Sequence, residues 1–217
     1  MQRITRQEPS KEPIVEPDRS TGGRALAAVL VLVVAIALGI GTAGCGAPAN
    51  PQVSKLINEA NAHLTNAANQ VKTLGDFNTR FKAILTGQPN PQAAAQVRGL
   101  LEAARQKEQR ALDETRQAKS ALSKVKDLPI SDNMKHYIDL KVSALSEQEQ
   151  ALALELQAMD LRIATMKRIE AGESFADVLP QEKQINDLEL QWADHMAQST
   201  DLNKQAKAFY QEKKLGK

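Results

Sequence analysis

Apolar residues recur at alternating intervals of three and four along four stretches of this chain, and that spacing constrains its fold more than any other feature. A helix turns once every ~3.6 residues, so such positions fall on one face, and each stretch is predicted to be an amphipathic helix with a heptad seam. The first seam reads Val53, Ile57, Ala60, Leu64, Ala67, Val71, Leu74, Asn78, Phe81 and Leu85. The second reads Val97, Leu101, Ala104, Glu108, Ala111, Thr115, Ala118, Leu122 and Val125. The third is Ile138, Val142, Leu145, Glu149, Leu152, Leu156, Met159, Ile163 and Met166, and the fourth is Ile185, Leu188, Trp192, His195, Ser199, Leu202, Ala206 and Phe209. Each segment has about 35 residues and a length of roughly 50 Å at ~1.5 Å per residue.

Helix boundaries are legible as well. Asn50-Pro51-Gln52 and Asn90-Pro91-Gln92 are the same tripeptide. Asn accepts a backbone N–H as cap, and Pro occupies the first turn, where its missing donor costs nothing. Ser131 is the third expected start, and Ser174 or Asp177 the fourth, with Pro180 in or near the first turn. Breaks fall at 86–89, 127–130 and 170–180, each holding Gly or Pro. Aromatic residues are only 3% of the chain, so strand formers are scarce and an all-α domain is expected. Short connections between long helices make antiparallel neighbours. The expected fold is an elongated antiparallel up-down-up-down four-helix bundle over residues 52–217 with coiled-coil-like heptad seams. An even number of helices returns Lys213 and Lys214 towards the end at which the first helix begins.

Ahead of the bundle lies one apolar export or membrane segment. Residues 25–43 carry no charge over nineteen positions, and the single cysteine, Cys45, follows closely. Such a helix is about 28 Å long, close to the thickness of a bilayer core. Residues 1–24 hold five basic and four acidic side chains among Pro9, Pro13, Pro17, Gly22 and Gly23, and read as a disordered cytoplasmic n-region. Arg19 and Arg24 precede the apolar run, whereas the first positive charge after it is Lys55. That asymmetry keeps the amino terminus in the cytoplasm.

Gly39, Gly41, Thr42, Ala43 and Gly44 are small, as a signal peptidase requires before its cut. Thr42-Ala43-Gly44-Cys45 resembles the bacterial lipobox, with Thr42 standing where that motif prefers Leu. The resemblance implies that 25–44 is a lipoprotein signal h-region, that Cys45 is lipidated, and that 45–51 is a tether. A lone cysteine has no disulfide partner within the chain, which suits a thioether to lipid. The other reading of the same residues is an uncleaved single-pass transmembrane helix. Both place the bundle on the extracytoplasmic face of the cell membrane.

Charge bounds the partners. The formal net charge of the chain is +2, and the segment after residue 24 is close to neutral. Nucleic acid requires a basic face to displace counterions, so it is not expected. No Glu-x-x-His pair, His-Glu-x-x-His, Cys-x-x-Cys-His or glycine-rich phosphate loop is present. The chain is therefore not expected to be an enzyme or to carry a cofactor. His63 and His136 read as surface residues.

Glu108, Glu149 and His195 each interrupt an apolar seam. In an up-down bundle the three reach similar mid-height, with Ser199 one turn away from His195. Two carboxylates and an imidazole there could bind a metal ion or form an ion-paired layer. Alternatively the helices are rotated slightly and the glutamates reach water from the rim. Trp192, Met196, Phe209 and Met166 are either core or the lining of a small-molecule pocket. The sequence thus points to a membrane-anchored, non-catalytic interaction or structural component of the cell envelope. A ligand- or metal-binding bundle is the alternative. The expected partners are the membrane, an envelope protein or ligand, and a second copy of the chain in a homo-oligomer.

Overall fold

The computed structural model describes residues 50–72 and 90–215. These form four helices: α1 (Pro51–Lys72), α2 (Pro91–Val125), α3 (Asp132–Glu170) and α4 (Phe175–Glu212). Among the described residues there is no strand. The apolar run 25–43, Cys45 and the first-helix seam from Leu74 to Leu85 lie outside them.

The helices start where cap chemistry predicts. Asn50 Oδ1 accepts the Gln52 N–H at 2.9 Å, and Asn90 Oδ1 accepts the Ala93 N–H at 2.8 Å. α1 therefore begins at Pro51, the last residue assigned to the tether. Ser131 Oγ accepts from the Met134 N–H at 3.3 Å. At the head of α4 the Asp177 carboxylate takes the Ser174 N–H at 3.1 Å and its hydroxyl at 2.6 Å. This fixes the start at Ser174 and leaves Pro180 inside the helix rather than in its first turn. Just past α3, Gly172 turns the chain left-handed with a φ of 91°. The Glu173 N–H then reaches back to the Arg168 carbonyl at 3.1 Å, satisfying an acceptor that the helix end leaves open.

α1 packs on α2, α2 on α3, and α3 on α4. Every position expected on the second seam is buried, and so is every described position of the first. Val53, Ile57, Ala60 and Leu64 of α1 meet Ala118, Leu122 and Val125 of α2, and Tyr137, Ile138 and Leu145 of α3 join them with Ala206 of α4. Higher on α1, Ala67 and Val71 pack against Ala111. The other end of α2 holds Ala94, Val97, Leu101 and Ala104 against Met159, Ile163, Met166 and Ile169 of α3 and Val178 of α4. The small alanines let the α1 and α2 backbones approach closely.

Ion pairs edge the α2–α3 contact at regular intervals. Arg98 binds Glu170 at 2.6 Å, Arg105 binds Asp160 at 2.5 Å, and Arg116 binds Glu149 at 2.8 Å. Lys119 also reaches Glu149, and Lys126 pairs with Asp139. Position numbers fall along α3 as they rise along α2.

α3 differs from the expectation in how much it buries. Its apolar seam is present, with Val142 and Glu149 only half-buried. A second seam is buried beside it: Lys141, Ala144, Gln148, Ala151, Glu155, Ala158, Arg162, Thr165 and Ile169. Positions 141, 148, 155 and 162 repeat every seventh residue, so they share one stripe. α3 has neighbours on two sides, and each neighbour needs its own seam.

Candidate functional site: the polar seam between the last two helices

Side chains from α3 and α4 meet through a run of polar groups, set between the apolar contacts of Val178 at one end and Ala206 at the other. Thr165 donates to Gln181 at 2.8 Å, and Arg162 pairs with Glu189. Glu147 meets His195 Nδ1 at 2.7 Å, and Lys141 Nζ donates to Asn203 at 2.6 Å. Below them the Tyr137 and Tyr210 rings lie 5.1 Å apart, and His136 meets Phe209 edge-on at 4.6 Å. The buried apolar side chains that α4 supplies among the described residues are Val178, Ile185 and Ala206. Trp192, Met196 and Phe209 are half-buried, whereas Met166 belongs to the core.

The expected layer of Glu108, Glu149 and His195 is not assembled. The seam rotation that makes room for two buried stripes on α3 carries Glu149 outward. There it accepts from Arg116 at 2.8 Å and from Lys119. Burial would raise its pKa, but the hydrogen bonds from Lys119 and Arg116 prevail and hold the carboxyl below its ordinary value. His195 is half-buried and taken by Glu147. His63 is not a free surface residue either: it bridges α1 to α2 by meeting Glu114 at 2.7 Å. His136 is exposed, as expected.

Glu108 remains in the core, 1% exposed, and there it faces Glu155 of α3 instead. Burial, reinforced by the Glu155 charge, pushes its carboxyl up to about 8. Burial raises Glu155 too, opposed by the attraction of Arg162. Arg162 is itself almost fully covered. Burial lowers its pKa against the pull of Glu155 and Glu182, and Glu182 is raised by the same loss of water. Lys141, buried beside Asn203, is brought down to about 8 by burial.

Several atoms of this cluster have no hydrogen-bond partner: Glu108 Oε2, Gln148 Oε1, Glu155 Oε1, Arg162 Nη1 and Glu182 Oε1. Native cores leave few such groups, so their concentration here marks the middle of the helical domain as its polar centre. Sequence reasoning identified Glu108 because it interrupts an apolar seam. It missed Lys141, Gln148, Glu155 and Arg162, which lie off the apolar seam read for α3. The signal that could have found them is the alanine set Ala144, Ala151 and Ala158, spaced by seven and running alongside.

Such a cluster can bind or release protons and can redistribute one cation among several carboxylates. Among the described residues, no group of three or more His, Cys, Asp or Glu side chains is arranged to hold a metal ion. Nor is any described helix long and apolar enough to cross a membrane. The chain matches no protein-family model, no curated protein and no solved structure.

Proposed function

We propose that the chain is a membrane-anchored, extracytoplasmic helical-bundle lipoprotein that acts without catalysis, as an interaction or structural component of the cell envelope. The observation that carries the reading is the apolar run 25–43 ending in Thr42-Ala43-Gly44-Cys45, a few residues ahead of Pro51, where α1 begins. On this reading Cys45 carries the lipid and residues 46–50 tether the bundle.

The helices are arranged up-down-up-down in an antiparallel four-helix bundle. Support comes from the paired positions along α2 and α3, and from the succession Thr165–Gln181, Glu147–His195 and Lys141–Asn203 along α3 and α4. Val53 near the start of α1 and Ala206 near the end of α4 belong to one apolar cluster. That end therefore faces the membrane, and the α2 start and the α3–α4 turn stand away from it. α3 has 39 residues, so the bundle projects roughly 58 Å. A long, rigid and nearly neutral rod suits contact at a distance from the membrane.

Photo-crosslinking in intact cells tests this role. Crosslinkers placed at exposed Gln96, Glu173 and Gln191 should trap a discrete envelope partner or a second copy of the chain. Capture of cytoplasmic proteins alone from all three positions would refute the assignment.

A further inference from the structure

Arg162 occupies a position between two sets of carboxylates. It pairs with Glu189 of α4, and Glu182 of α4 attracts it as well. Its Nη1, which has no hydrogen-bond partner, stands 3.8 Å from Oε1 of Glu155 on its own helix. Glu155 Oε1 is also without a partner, and Glu108 of α2 faces it from across the seam. All the side chains of this chain of contacts are buried except that of Glu189, which is half-buried.

We propose that Arg162 is a two-position latch: a proton held by the Glu108–Glu155 pair leaves the guanidinium to Glu189 of α4, and loss of that proton draws it to Glu155 and weakens the docking of α4. Two buried carboxylates facing each other cannot both ionise without a cation. While one is neutral, Glu155 competes poorly for Arg162. Once both are charged, the nearest guanidinium nitrogen is already within ion-pair distance of Glu155. α4 is the helix most sensitive to this transfer, because polar contacts supply much of its docking and its buried apolar residues are few. The bond between Arg162 and Glu189 is central among those contacts.

Other charges around the pair do not replace Arg162. On α2, Arg105 is taken by Asp160, and Lys107 is half-buried one residue from Glu108. α1 contributes Lys72 at its end, and that side chain is exposed. On α4, the facing groups are Glu182 and Glu189, both acidic. The device works whether or not Cys45 carries a lipid, so it stands apart from the anchoring assignment.

Amide hydrogen exchange tests the latch, using the full-length chain in detergent micelles at pH 6 and pH 8.5 with rates corrected for intrinsic chemistry. Peptides from the middle of α4 should lose protection by about tenfold or more at the higher pH, while α1 and α2 peptides change little. Glu155→Gln removes the competing carboxylate and should leave α4 equally protected at both pH values. Glu189→Gln removes the α4 end of the latch and should leave α4 poorly protected at both. The proposal is overturned by unchanged α4 protection in the parent chain, by equal loosening of all helices, or by a pH response that survives in whichever variant folds.

Discussion

Replacing Glu108 by Gln should make the protein more stable at neutral pH, even though it removes a charge from the centre of the molecule. The carboxyl sits at about 8 in the folded chain against an ordinary 4.5, because burial and the Glu155 charge disfavour its ionised form. A carboxyl raised by folding gives its full stability below the unfolded value. That stability is lost as pH climbs towards the folded value, at about 1.4 kcal/mol per unit. At pH 7 the loss is about 3 kcal/mol for this residue. The introduced amide cannot ionise, keeps the shape of the side chain, and can donate to the open oxygen of Glu155. Urea unfolding of residues 50–217 at pH 4.5, 7 and 8.5 should therefore show three results. Parent and variant should be nearly equal at pH 4.5. The variant should be ahead by about 3 kcal/mol at pH 7, and the gap should widen by about another 1 kcal/mol by pH 8.5. A variant that is less stable at pH 7, or a parent indifferent to pH across this window, would refute the assignment of Glu108 to a dry, cation-poor core.

The remaining predictions address separate elements. Lys141→Met should raise stability by about 2 kcal/mol at pH 7, because burial lowers that amine to about 8; the gap should close towards pH 10, as checked by thermal melts. His195→Leu should change stability by less than about 1 kcal/mol, since its half-exposed contact with Glu147 is screened, and a loss near 3 kcal/mol in denaturant titration would contradict this geometry. Gly99→Ala should add about 1 kcal/mol by thermal unfolding, because the site is helical and an added Cβ meets nothing within 4 Å. Cys45→Ala should abolish incorporation of a fatty-acid analogue and leave an unprocessed precursor on a gel; equal labelling of both proteins would contradict it.

How much of this was legible in the sequence follows from how each helix is used. α1 presents one apolar stripe, so periodicity alone identified its buried residues; on α2 it found the whole expected seam but missed Ala94, Leu112 and Ala121, which are buried as well because α2 packs on both α1 and α3. Asn50, Asn90 and Ser131 act through neighbours two or three residues away, which makes their cap chemistry local and readable. α3 was read only in part, because a reading by apolarity cannot see a buried stripe made of Lys141, Gln148, Glu155 and Arg162. Lys141 and Arg162 are tolerated inside because α4 brings Asn203 and Glu189 to meet them, and pairings 27 or more positions apart leave no mark on local pattern. Glu149 follows the second of its two readings, the rim. It sits at an apolar interval in the third seam, yet Arg116 and Lys119 hold it at the α2–α3 rim, where its charge is retained. The common height expected of Glu108, Glu149 and His195 is not what the contacts give: Arg105 meets Asp160 and Arg116 meets Glu149, so Glu108 lies opposite the stretch of α3 between them, near Glu155, while His195 meets Glu147. Rotation differs as well, because it depends on how many neighbours a helix has.

The proposed anchored role rests on Cys45, and the intact mass of the mature amino terminus tests it most directly. The protein purified from membranes should begin at Cys45 and carry the added mass of a diacylglyceryl group on the sulfur. A mature chain that still begins at Met1, with an unmodified Cys45, would contradict the lipid anchor and make the apolar run 25–43 a retained membrane helix.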